Sequence, residues 1–154
     1  MDFGRLQRGE YFGFVGVGVL LLSLFLDWFS TGSSKNGEIN GQPYPDGATA
    51  FDTYGVLDWL LVAACLAPFI LAWIVMRGHK LTWRPGEITM IVGMTAFALI
   101  ILNGVILGRP GEPDSEIDIK IGYFVGLLGS ALICAGGIVR LAEGDRARKP
   151  PGTL

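Results

Sequence analysis

Few residues in this chain have the type and spacing to do chemistry. The two cysteines, Cys65 and Cys134, each fall in the middle of an apolar run, and there is no Cys-x-x-Cys pair. A quinone-linked thiol oxidoreductase needs cysteine pairs that reach the outer surface, so that chemistry is excluded, and both cysteines read as small packing residues. The single histidine, His79, lies between apolar runs. A haem needs axial ligands inside the helices and a zinc site needs several His or Cys, so neither is expected. No P-loop, H-E-x-x-H or G-x-S-x-G occurs in a workable context, and Gly16-Val17-Gly18 is buried in an apolar run where no nucleotide loop can form. Four-span multidrug exporters carry a carboxylate deep in the first span, and none lies between Tyr11 and Leu26. The sequence therefore predicts no catalytic residue, no metal and no cofactor.

What remains is polar residues at membrane depth and a stripe of small ones. Asp27 ends the first apolar run, Asp58 lies about one turn into the second, and Asn103 lies about one turn before the end of the third. If these runs cross a bilayer, all three residues fall in its outer third, where ionisable groups face protein or water. Asp27, Asp58 and Asn103, with Lys120 or Tyr123 beside them, form a candidate outer polar pocket. The alternative is that Asp58 belongs to a helix start, Asp27 is wet and Asn103 bonds to a neighbouring helix.

The stripe is Gly122, Gly126, Ser130 and Cys134, four apart in the fourth run and so on one helix face. Gly104-x-x-x-Gly108 and Gly9-x-x-x-Gly13 repeat the pattern elsewhere. Such faces let backbones approach closely, either within the chain or against a second subunit.

The elements that must position these residues follow from composition. Of 154 residues, 51% are apolar and 17% charged, against a usual ~25% charged in soluble domains. Mean hydropathy is +0.48. These values exclude a disordered chain, a nucleic-acid binder and a disulfide-stapled module. Four apolar runs stand out, at about residues 11–29, 54–76, 88–108 and 121–142. Each is near the ~20 residues a helix needs to cross a bilayer, and in lipid the backbone must satisfy itself. The expectation is an all-α transmembrane four-helix bundle in one domain, with a charged cytoplasmic tail, 143–154, that frays. The first run is longer than a signal-peptide core and no clear cleavage site follows it, so it reads as a retained span.

Charge sets the orientation. Arg5, Arg8, Arg77, Lys80, Arg84, Arg140, Arg146, Arg148 and Lys149 fall on one side, and Lys35, Arg109 and Lys120 on the other. The excess predicts cytoplasmic termini. Aromatic residues fit an interfacial belt, with Trp28, Phe29, Tyr54, Trp59 and Tyr123 outside and Tyr11, Phe12 and Trp73 inside. The first outer loop, Ser30 to Thr53, is 24 residues long. Its Ile39-Asn40-Gly41-Gln42 is a type I′ hairpin signal, so the loop is either a small two-stranded flap or flexible. Pro68 predicts a kink in the second span, and Pro85 with Glu87 a clean start for the third.

Leu24-Phe25-Leu26-Asp27-Trp28-Phe29, together with Phe51-Asp52-Thr53-Tyr54-Gly55-Val56-Leu57-Asp58-Trp59-Leu60-Leu61, resembles small uncharacterised four-span membrane proteins of actinomycetes and related bacteria. The resemblance implies a four-helix bundle in a bacterial inner membrane and no particular activity. The layout is also similar to that of claudins, but the W-x-x-x-G-L-W…C…C pattern is missing from residues 30–53. The functional expectation is a non-catalytic scaffold or accessory subunit, assembling as a homo-oligomer or in a larger membrane complex through its glycine-rich faces. The rival is a small channel, transporter or ligand-binding protein using the outer pocket.

Overall fold

The computed structural model describes residues 8–34, 36–77 and 84–146. Lys35, His79, Lys80, the link 78–83, Arg5 and the tail beyond 146 lie outside the described residues, so the expectations placed on them stand as sequence readings. The chain runs α1 (Arg8–Leu24), β1 (Asp27–Ser30), β2 (Ala48–Thr49), α2 (Ala50–Thr53), α3 (Leu57–Met76), α4 (Pro85–Ile101), a π turn (Leu102–Ile106), a 3₁₀ turn (Asp114–Glu116), β3 (Asp118–Ile119) and α5 (Ile121–Arg146). The protein is mainly helical. Among the described residues, 3 helices are long and apolar enough to cross a membrane: Leu57–Met76, Pro85–Ile106 and Ile121–Glu143. α1 has 17 residues and carries Arg8 and Glu10 in its first turn. It ends at Leu24, short of the expected residue 29. α5 continues to Arg146, through the first part of the expected tail.

α1 stops early because Trp28 caps it. The Ser23 carbonyl takes the Leu26 N–H at 3.0 Å and the Trp28 indole N–H at 2.7 Å. The chain then turns back as a strand rather than as more helix. Trp28 and Phe29 are fully buried and Tyr123 is 2% exposed, so these three rings pack against protein. Trp59, Tyr11, Phe12 and Trp73 are instead exposed. The difference lies in α5. Cβ atoms built at Gly122 and Gly126 would sit 2.5 and 2.7 Å from the Trp28 ring, so the missing side chains form the slot that holds the indole.

β1 is the middle strand of a three-stranded antiparallel sheet, order β2-β1-β3. It pairs with the end of the first outer loop (Asp27 with Thr49) and with the end of the second (Phe29 with Ile119). A further bridge, Glu38 to Glu112, joins the loops by backbone bonds of 2.9 Å in each direction. Ile39-Asn40-Gly41-Gln42 closes as a two-residue hairpin, with φ of 52° at Asn40 and 74° at Gly41. That is the positive pair a type I′ turn requires. The Asn40 side chain donates to the Asp52 carbonyl at 2.7 Å, and Thr49 and Asp52 form a capping box on α2. The first outer loop is thus a folded cap, tied to the second loop, rather than a free flap.

Glycines also set the helix packing. Gly16, Gly129 and Gly136 let α1 and α5 touch backbone to backbone: added Cβ atoms would lie 2.6 Å from Ile133 N, 2.5 Å from Leu20 N and 2.6 Å from Gly13 N. Another face of α5 meets α4, where a Cβ at Gly137 would lie 2.3 Å from Met90 N and one at Gly93 2.3 Å from Cys134 N. α4 starts on Pro85 as the sequence predicts, and α3 stays helical through the buried Pro68. Gly129→Ala should therefore lose roughly 1–3 kcal/mol by forcing two helices apart. Gly18→Ala, which meets nothing within 4 Å, should be neutral. Reversible unfolding in mixed micelles reads both, and equal effects would contradict this packing.

Candidate functional site

The three residues of the outer pocket occupy different settings. Asp27 is exposed on β1, beside the backbone at Gly47, where a Cβ would lie 2.3 Å from the Asp27 carboxyl carbon. Asp58, in the first turn of α3, is 3% exposed, and its Oδ1 is buried with no hydrogen-bond partner. A carboxylate in that turn is favoured by the helix dipole. Asn103 is half-buried in the π turn and spends its amide on the Leu99 carbonyl at 2.9 Å, a bond within its own helix.

Tyr54 reaches the backbone of Asn103. Its hydroxyl donates to the Asn103 carbonyl at 3.0 Å. Burial, with Tyr123 and Asp58 close by, pushes that hydroxyl above the ordinary tyrosine range, so it is held as a donor. Tyr123 donates to the Ile100 carbonyl at 3.2 Å, and a Cβ at Gly104 would lie 2.3 Å from its ring. Two tyrosines thus supply donors where the α4 ladder widens into an i+5 bond, Leu107 N–H to Leu102 O. Lys120 enters through its backbone N–H, which bonds the Trp28 carbonyl at 2.8 Å. Tyr54 thus holds the Asn103 backbone, Asp58 keeps a buried oxygen without a partner, and Asp27 stands at the surface.

The small-residue stripe is occupied within the chain. Gly122 and Gly126 receive Trp28, and Ser130, fully buried, donates to the Leu127 carbonyl at 2.9 Å. The backbone at Cys134 lies against Gly93. Cys65 is buried and Cys134 half-buried, both as free thiols. Among the described residues no three His, Cys, Asp or Glu side chains group as metal ligands.

A second polar site was not singled out from the sequence. Glu10, in the first turn of α1, and Arg140, near the end of α5, form an ion pair of 2.8 Å with side chains 4% and 11% exposed. Glycines make it possible: a Cβ at Gly9 would lie 2.6 Å from Arg140 N. Gly13, Pro68 and Thr89 help to enclose a cavity of about 10 Å³ beside it, the room of about one water. Glu10 falls one residue outside the apolar run, and Arg140, inside the fourth run, reads from the sequence only as one of the charges on the side of the termini. The clue was Gly9-Glu10-x-x-Gly13, a carboxylate on a close-packing helix face.

No family model matches the chain, and no curated protein or solved structure matches it.

The Glu10–Arg140 geometry fixes the register of α1 on α5 and leaves a large penalty if one partner is lost. Arg140→Met should cost about 3–5 kcal/mol, because it breaks a buried ion pair by removing one partner. Adding Glu10→Gln should recover more than half of that loss. A double-mutant cycle in micelles measures it, and additive effects would show that the pair is not coupled.

Proposed function

We propose that the protein is a four-span integral protein of a bacterial inner membrane with both termini cytoplasmic. In this reading it acts without catalysis, as a scaffold or accessory subunit in a homo-oligomer or larger complex. The observation that carries this reading is the outer cap: two loops knit into one sheet and seated on the helix ends by a buried tryptophan. A surface ordered in this way before any partner arrives loses little entropy on contact.

Support for α1 as the fourth span comes from its neighbour. Its 17 residues rise only about 26 Å at 1.5 Å each. They lie along α5 from Gly9 against Gly136 to Leu20 against Gly129, and α5 is apolar and long enough to span. The membrane assignment also draws on the resemblance of residues 24–29 and 51–61 to four-span actinomycete proteins. Because the glycine faces are filled within the chain, assembly would use other surfaces. The exposed Trp59, Leu66, Phe69, Ile70 and Trp73 of α3 or the cap itself are available.

The second reading, a one-sided ligand pocket, is favoured by the buried, unpartnered Oδ1 of Asp58 near Tyr54. Flux or binding lost in Asp58→Asn liposomes, against wild type, would move the balance to it.

Cysteine probes at Ser34 or Ser115 should react from outside intact cells, and probes at Asp2 or Thr153 should not. In nanodiscs loaded from gently solubilised membranes, more than one copy or a stoichiometric partner is expected. Inverted labelling would overturn the topology. A lone copy with no partner in every preparation would overturn the scaffold reading.

A further inference from the structure

Helices α1, α3, α4 and α5 meet at the cavity beside the Glu10–Arg140 pair. Each gives it part of a wall: Glu10 and Gly13 from α1, Pro68 from α3, Thr89 from α4 and Arg140 from α5. At about 10 Å³ it admits one water and nothing larger. Gly13 makes the space. A Cβ built there has its nearest neighbours, Pro68 Cβ and Thr89 Cγ2, at 4.0 Å. Cβ atoms at Gly9, Gly16 and Gly136 would instead strike backbone at 2.6 Å. A methyl at Gly13 therefore fills the cavity rather than parting the helices.

We propose that this cavity is a binding site for one structural water, which ties α4 to the ion pair between α1 and α5. The argument is the set of polar groups around it. The Arg140 side chain is 11% exposed, and its Nη2 lies 2.8 Å from Glu10 Oε1. A guanidinium carries a fork of N–H donors, and a carboxylate oxygen at one nitrogen does not engage them all. Buried donors take an acceptor, and a water in the cavity is one within reach. A carboxylate accepts at up to about four lone-pair sites, so Glu10 can take a further bond without giving up those it makes. Thr89, 5% exposed, donates its hydroxyl proton to the Pro85 carbonyl at 3.0 Å, which leaves its oxygen to accept. A water accepting from Arg140 and donating to Glu10 and Thr89 has about three bonds, the usual number for a buried water. Pro68 closes the α3 side without an N–H to compete. The ligand is water rather than an ion, because the guanidinium repels a cation and the carboxylate an anion. The site stands apart from the scaffold reading, since none of these residues needs a second subunit.

The test is Gly13→Ala in the full chain in mixed micelles. Gly18→Ala, on the same helix and with nothing within 4 Å, is the baseline for adding a methyl to α1. A methyl in a dry void gains contacts, whereas one that displaces this water strands the groups the water served. Gly13→Ala should therefore shift the unfolding equilibrium about tenfold toward the unfolded state relative to Gly18→Ala. In an Arg140→Met, Glu10→Gln background the same substitution should match the baseline to within about twofold. NMR in deuterated detergent detects the water directly. Magnetisation should pass from a long-lived water to the Thr89 methyl in wild type, and Gly13→Ala should abolish that transfer. Gly13→Ala as stable as the baseline, an equal penalty in the charge-free background, or no transfer to Thr89 in wild type would each overturn the proposal. The wild-type transfer decides the matter even if Gly13→Ala does not fold.

Discussion

The last carbonyls of a helix need donors, and at the outer end of α1 one of them comes from Trp28. Its indole N–H closes on the Ser23 carbonyl while the ring fills the slot left by Gly122 and Gly126. A hydrogen bond of this kind is worth only ~0.5–1.5 kcal/mol net, but a buried acceptor left without its donor costs ~1–3 kcal/mol. The rest of the outer architecture hangs on that contact. Trp28 sits in the strand to which both loops pair, and its ring stands edge-on to Tyr54 and Tyr123, with centroids 5.9 and 5.8 Å away. Those tyrosines in turn reach the carbonyls of α4. One side chain therefore couples the end of α1, the start of α5, the sheet and the widened turn of α4.

α5 is the axis around which the helices gather. Its glycines serve two neighbours on two faces, α1 and α4, at backbone contact distance. In lipid, where apolar side chains gain little by leaving their surroundings, such close approach replaces the hydrophobic drive. The Glu10–Arg140 pair lies at the inner end of the same α1–α5 seam. Van der Waals contact would tolerate sliding between two smooth glycine faces, whereas a buried ion pair permits one register.

Much of this was legible in the sequence. Each of the four apolar runs holds a helix, and among the described residues three of these helices are long and apolar enough to cross a membrane. Asn40-Gly41 made its turn and Pro85 began its helix because both act through local backbone geometry. The misreadings share one cause. Composition fixes how apolar a segment is, not which face meets protein. Trp28 and Trp59 look alike as residues near a helix end, yet one is sealed in a glycine slot and the other is 70% exposed. The two-residue strands at Ala48–Thr49 and Asp118–Ile119 are too short to announce themselves by alternation; they exist because β1 offers partners on both edges. Asp27 was grouped with Asp58 by depth along straight helices, and the early end of α1 turned it outward. Glu10 was invisible to a search for apolar runs because a charge defines where such a run is said to begin.

The contact between Gly9 and Gly136 has a consequence for biosynthesis. α1 is synthesised before α5, so a close-packed seam joins two segments far apart along the chain. Until α5 has been made, the glycine flank of α1 lacks its partner helix and Glu10 lacks Arg140. β1 waits likewise, since β3 immediately precedes α5. Long sequence separation of this kind makes closure slow relative to local helix formation. The α1–α5 seam can therefore close only after α5 has been made.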